Sequence, residues 1–178
     1  MWKNSKLYQR LHHFFSEEIP YEKDIFIGGE PLFLREIKTS DIPELLKLEK
    51  KVYEGELPWS RSAFLIELRS VSLHRYLLIE THEEILGFIG LRIHGRDCHI
   101  TNIAVSPSRQ GKGYGTFLLE EGKTFAKEKE CSQMSLEVRR SNLKAQSLYR
   151  RFGFVSKNIK KNYYTENEED AVEMIYEF

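Results

Sequence analysis

The segment Ile103-Ala104-Val105-Ser106-Pro107-Ser108-Arg109-Gln110-Gly111-Lys112-Gly113-Tyr114-Gly115-Thr116 carries the densest chemical signal in this chain. β-prone residues lead to Pro107, a glycine-rich turn follows, and an amphipathic stretch comes next, so the segment reads as strand, loop and helix. Gly111, Gly113 and Gly115 fall on alternate positions, where they let the backbone bend tightly and approach a ligand. The first N–H groups of a helix lack intrahelical partners and sit at the positive end of its dipole, an arrangement suited to phosphate or pyrophosphate. Arg109 and Lys112 add positive charge beside the turn. The Walker pattern GxxxxGK[ST] is absent, and reading Gly111 and Gly113 as GxGxxG leaves Thr116 where a third small residue belongs. A glycine loop that only joins a strand to a helix is the alternative. None of the six histidines stands in an HExxH pattern, and Cys98 and Cys131 lack CxxC spacing, so no metal is expected.

The elements that position this turn are readable from periodicity. Leu7, Leu11 and Phe14 suggest a short amphipathic helix over the first fifteen residues, and residues 1–30 read as an extension to a domain covering 31–178. Leu32–Ile37 alternates like a half-buried strand. Asp41 with Glu44 resembles a capping box opening a helix through Val52, and Ser60 can cap a second helix carrying Phe64, Leu65 and Leu68. Tyr76–Thr81, Ile85–Ile93 and Cys98–Val105 form an antiparallel meander. A helix over Phe117–Glu130, a strand through Met134, Leu136 and Val138, and a helix from Ala145 to Phe152 ended by Gly153 come next. Phe154–Asn158 and Val172–Phe178 are closing strands around a polar Asn162–Asp170 loop. The order predicts an α/β (α+β mixed) domain, a mixed sheet with helices on both faces.

Composition excludes several classes. In 178 residues, 27 Lys plus Arg balance 27 Asp plus Glu, so no global charge draws the chain to nucleic acid. Two cysteines are too few for a disulfide framework, and no apolar run approaches the ~18 residues of a membrane helix. A cytoplasmic protein without membrane contact is the expectation.

Gln110-Gly111-Lys112-Gly113-Tyr114-Gly115 resembles the Gln/Arg-x-x-Gly-x-Gly acyl-CoA signature of the GNAT N-acetyltransferases. Leu136-Glu137-Val138-Arg139-Arg140-Ser141-Asn142, Leu148-Tyr149, Gly153-Phe154, Asn162-Tyr163-Tyr164, Asp170-Ala171 and Pro58-Trp59-Ser60 resemble its ribosomal-protein alanine N-acetyltransferase branch. The similarity covers roughly residues 32–178. It implies a mostly antiparallel sheet with a splayed strand pair, and acetyl-CoA as cosubstrate. The backbone of Ile103, Ala104 and Val105 would pair with the pantetheine arm, residues Gln110 to Thr116 would hold the pyrophosphate, and Asn142 would contact the cofactor. Glu137 is implied as general base, directly or through water, and Tyr149 as general acid. From the residues alone, Glu137 also fits the outer face of a strand and Tyr149 a core position.

The resemblance further implies an N-terminal alanine of a small-subunit ribosomal protein as acceptor, with Trp59, Tyr163, Tyr164 and the Asn162–Asp170 segment walling the peptide channel. A small polyamine or aminoglycoside is the rival acceptor, favoured by Glu166, Glu168, Glu169 and Asp170. A catalytically silent acyl-CoA-sensing module, docking through its first helix, is a third reading. Nothing in the chain specifies an oligomeric state.

Overall fold

In the computed structural model, residues 21–53 and 58–178 are described. The helix expected in the first fifteen residues lies outside them. One eight-stranded sheet runs in the order β1-β2-β3-β4-β5-β6-β8-β7. Its strands are β1 Glu22–Ile27, β2 Glu30–Glu36, β3 His74–Glu80, β4 Ile85–His94, β5 Asp97–Val105, β6 Gln133–Arg139, β7 Val155–Tyr164 and β8 Glu169–Glu177. All neighbours are antiparallel except β5 and β6, so the expected mixed, mostly antiparallel sheet is present.

Helices α1 Ile42–Val52 and α2 Arg61–Leu68 cover one face, where Ile42, Leu45, Leu48 and Phe64 pack on Tyr76, Leu78, Phe88 and Ala104. Helices α3 Tyr114–Glu128 and α4 Leu143–Phe152 cover the other, where Leu118, Leu119, Phe125 and Tyr149 join the larger core. Each buried Leu or Phe side chain stabilises by roughly 1.5–3 kcal/mol, enough to override weak local preferences. Among the described residues no helix is long and apolar enough to cross a membrane.

Three local expectations change. Residues 22–27 pair with β2 as a hairpin strand, although only Ile25 and Ile27 of that strand are buried. Two core residues in a polar stretch leave too little alternation to read. Asp41 forms no capping box with Glu44; its carboxylate accepts from Lys38 N–H at 2.7 Å and from both terminal nitrogens of Arg35, at 2.7 and 3.1 Å. The closing hairpin is longer than expected, for β7 runs on to Tyr164 and β8 starts at Glu169. Register shifts at Ser156/Asn158 and Lys160/Tyr164 break the alternation that would have marked β7 as one strand.

Candidate active site

The site begins with a glycine in β4. Pairing with β5 slips by one residue between Gly90 opposite Asn102 and Leu91 opposite Ile100, leaving Thr101 as the extra residue of a bulge. A Cβ at Gly90 would lie 2.2 Å from Tyr76 Cε1, so only glycine lets that ring cross the strand. The Tyr76 hydroxyl donates to Glu67 Oε2 at 3.0 Å and lies 2.6 Å from Thr101 Oγ1. The bulge turns side chains over: Cys98 and Ile100 face the α3 and α4 core, whereas Ala104 faces the core under α1 and α2. On its other edge β5 pairs with β6 only at Asp97, Cys98 and His99. Beyond that point the two strands splay, as expected, and leave the backbone of Ile103–Val105 without a β6 partner.

A cavity of about 510 Å³ occupies this fork. Of the expected cofactor residues, Ile103, Val105, Gln110, Gly111, Gly113, Gly115, Thr116 and Asn142 line it. Ala104, Lys112 and Tyr114 do not; Tyr114 is buried, and its hydroxyl donates to Glu30 Oε2 at 2.7 Å. Arg109 also turns from the turn it flanks, forming a bidentate pair with Glu30 at 2.7 and 2.9 Å. Gly111 and Gly113 have φ of 74° and 94°, a region costly for other residues. The first helical bond here runs from Phe117 N–H to Gly113 O at 2.9 Å, so the N–H groups of Tyr114, Gly115 and Thr116 point outward at the helix start. That donor set fits the diphosphate of coenzyme A. Gln110 Nε2 donates to Val105 O at 3.0 Å, and Asn142 Oδ1 caps α4 by accepting from Ala145 N–H at 3.0 Å.

Glu137 and Tyr149 line the same cavity. Partial burial pushes the Glu137 carboxyl up, but hydrogen bonds and charge from His99 and Lys160 outweigh it and hold the group at about 2. Lys160 Nζ lies 2.5 Å from Oε1, and His99 Nε2 lies 3.3 Å from Oε2. Burial pushes the Tyr149 hydroxyl well above the ordinary tyrosine value, and it stays protonated at neutral pH. Trp59 and Tyr164 also line the cavity, while Tyr163 is half exposed and meets the Tyr164 ring nearly edge-on.

Several neighbours carry no sequence signal. Tyr53 lines the cavity, as does Arg139 of the motif quoted above, whose guanidinium sits 4.1 Å over the Tyr164 ring. Asn102, beside the bulge, donates from Nδ2 to the fully buried Glu49 at 2.7 Å. Burial pushes the Glu49 carboxyl up to about 7, against hydrogen bonds from Asn102 and the Trp59 backbone. Lys160 and His99 reach Glu137 from other strands, a juxtaposition that only the sheet register creates.

The chain matches the model of the acetyltransferase (GNAT) family over residues 40–154 and belongs to that family. It is an acetyl-CoA-dependent N-acetyltransferase. It is 38% identical over 141 residues to the putative [ribosomal protein bS18]-alanine N-acetyltransferase of Bacillus subtilis, covering 79% of this chain and 92% of that one. Against the N-alpha-acetyltransferase RimI of Mycobacterium tuberculosis the identity is 32%, over 82% of this chain and 92% of the relative. The crystal structure of the ribosomal-protein-S18-alanine N-acetyltransferase from Escherichia coli superposes with a TM-score of 0.72 at 27% identity, covering 82% of this chain and 93% of that one.

Proposed function

We propose that the chain acetylates the α-amino group of a protein N-terminus, an N-terminal alanine of a small-subunit ribosomal protein, in the cytoplasm. Acetyl-CoA supplies the acetyl thioester. The observation that carries this reading is that Glu137 and Tyr149 share one cavity with the glycine turn, and that Tyr53, Trp59 and Tyr164 line the same cavity. Glu137 receives the proton of the attacking nitrogen, directly or through water, and Tyr149 donates one to the departing thiolate. An α-amino group, with a reference pKa of roughly 7.7–8.0 against roughly 10.4 for lysine, is partly neutral at physiological pH and needs no strong base. Asn142 and the N–H groups of the turn hold the cosubstrate, and the open backbone of Ile103–Val105 aligns its pantetheine arm. The names of the relatives support the ribosomal acceptor.

Two of the four acidic residues that favoured a polyamine are committed within the chain. Glu169 pairs with Arg139 at 3.0 Å, and Asp170 with Arg140 and Lys161 at 3.2 and 2.9 Å. The test is a mass-shift assay with acetyl-CoA and an alanine-initiated ribosomal peptide, the same peptide with a blocked N-terminus, and a polyamine panel. A shift on the free peptide alone is expected; acetylated polyamines with an unmodified peptide would overturn the acceptor. Glu137→Gln and Tyr149→Phe should each lower kcat by ~10²–10⁴ while acetyl-CoA affinity holds.

A further inference from the structure

We propose that His99 is a positioning residue for the transfer: through Glu137 it draws off the proton released by the acceptor amine, while Ser135 and Asp97 fix which ring nitrogen is free to do so. This rests on the reading of Glu137 as the base.

The argument is one of donors and acceptors. β5 and β6 share their last paired rung at His99 and Ser135, immediately before the fork, and alternation puts Asp97, His99, Ser135 and Glu137 on one face of the sheet. Ser135 Oγ lies 2.5 Å from Asp97 Oδ2 and 2.9 Å from His99 Nδ1. A carboxylate only accepts and a serine has one hydrogen, so Ser135 donates to Asp97 and accepts from His99 Nδ1–H. In neutral imidazole the proton is then on Nδ1, leaving the Nε2 lone pair 3.3 Å from Glu137 Oε2. Two acceptors facing each other await a proton between them.

Lys160 Nζ, 2.5 Å from Oε1, favours the charged carboxylate, so Glu137 is a poor resting place for a proton. A proton placed on Glu137 therefore moves to Nε2, and the imidazolium formed is bracketed by two carboxylates, Glu137 directly and Asp97 through Ser135. The exposed edge of the ring then returns the proton to water. In the full step the amine N–C bond forms, the thioester C–S bond breaks, the sulfur takes the proton of Tyr149, and the amine proton leaves through Glu137 and His99. The other charged groups on this face are also accounted for. Lys160 on β7 bridges Glu137 and Glu173 of β8, and Tyr163 hydrogen-bonds Glu137. Arg92, opposite His99 on β4, is ion-paired with Glu67 of α2.

The test uses the full chain, an alanine-initiated peptide and acetyl-CoA, with kcat and both KM values measured from pH 5.5 to 9 for wild type, His99→Gln, His99→Ala, Ser135→Ala and Glu137→Gln. We expect His99→Gln and His99→Ala to lose ~10–100-fold in kcat with both KM values within about two-fold, and added imidazole to restore part of the His99→Ala rate. Ser135→Ala, which frees the tautomer, should alter the acid limb of the kcat profile. A His99→Gln rate within about two-fold of wild type, alongside an impaired Glu137→Gln, overturns the relay and leaves the base assignment standing. A Glu137→Gln enzyme of full activity overturns both. Losses that appear in KM and kcat together, with no response to imidazole, reduce His99 to a structural part and also overturn the relay. If the His99 variants melt early, the Ser135→Ala profile decides alone, and an acid limb identical to wild type overturns the proposal.

Discussion

Replacing Gly90 by alanine tests whether the bulge in β5 is built as described. The added methyl would sit 2.2 Å from Tyr76 Cε1 and 2.7 Å from both Tyr76 Cζ and Thr101 Oγ1. Ordinary contact begins near 3.4 Å, so the ring or the strand must yield by about 1 Å. The ring has little freedom: it is 2% exposed, and its hydroxyl is held by Glu67 and Thr101 at 3.0 and 2.6 Å. Trp59 and His74 flank it at centroid distances of 6.4 and 5.8 Å. Overpacking costs ~1–3 kcal/mol, and a displaced buried hydroxyl adds ~1–2 kcal/mol, so Gly90→Ala should destabilise by ~2–5 kcal/mol. For a chain of this size that is a fall in Tm of ~5–20 °C by calorimetry. Titration calorimetry should also show acetyl-CoA affinity falling by tenfold or more, because a reset bulge re-aims Ile103 and Val105. Tyr76→Leu removes the obstructing atoms, so Gly90→Ala should cost much less in that background. A Gly90→Ala protein melting within about 2 °C of wild type, with unchanged acetyl-CoA affinity, would refute the account.

Two further outcomes follow from the site's electrostatics. Because the Glu137 carboxyl is depressed to about 2 from 4.5, its contribution to stability is fully present above pH 4.5 and is lost as pH falls toward 2. With Lys160 37% exposed and partly screened, ~1–3 kcal/mol is expected. Urea titrations across that window should show wild type losing stability relative to Glu137→Gln, and parallel curves would count against the ion pairs. Glu30→Gln should raise the KM for acetyl-CoA several-fold while leaving kcat nearly intact, since it loosens the anchors of Arg109 and Tyr114 without touching Glu137 or Tyr149; steady-state kinetics would show the split.

Much of this architecture was readable from the sequence because its signals are local. Ser60 caps α2 by accepting from Ala63 N–H at 3.1 Å, Gly153 closes α4 at φ 117°, and the three meander strands fall where β-branched runs stand. The glycine turn was legible as a turn but its side chains were not. Arg109 looked phosphate-facing from its position, yet its partner, Glu30, belongs to a hairpin whose first strand the pattern did not mark. His99 stands in no metal-binding pattern and nothing in its spacing singles it out. Its link to Glu137 arises from parallel register between strands separated by a helix, information that neither spacing nor periodicity holds. Lys160 was hidden for a related reason, since it lies in a strand that is exposed along nearly its whole length.

The clasp among Glu30, Arg109 and Tyr114 joins positions 79 and 84 residues apart. Contacts of such long range carry a larger loop-closure cost than local ones. The opening hairpin thus grips the glycine turn from a distant part of the chain, and whatever frees that hairpin also releases Arg109 and Tyr114.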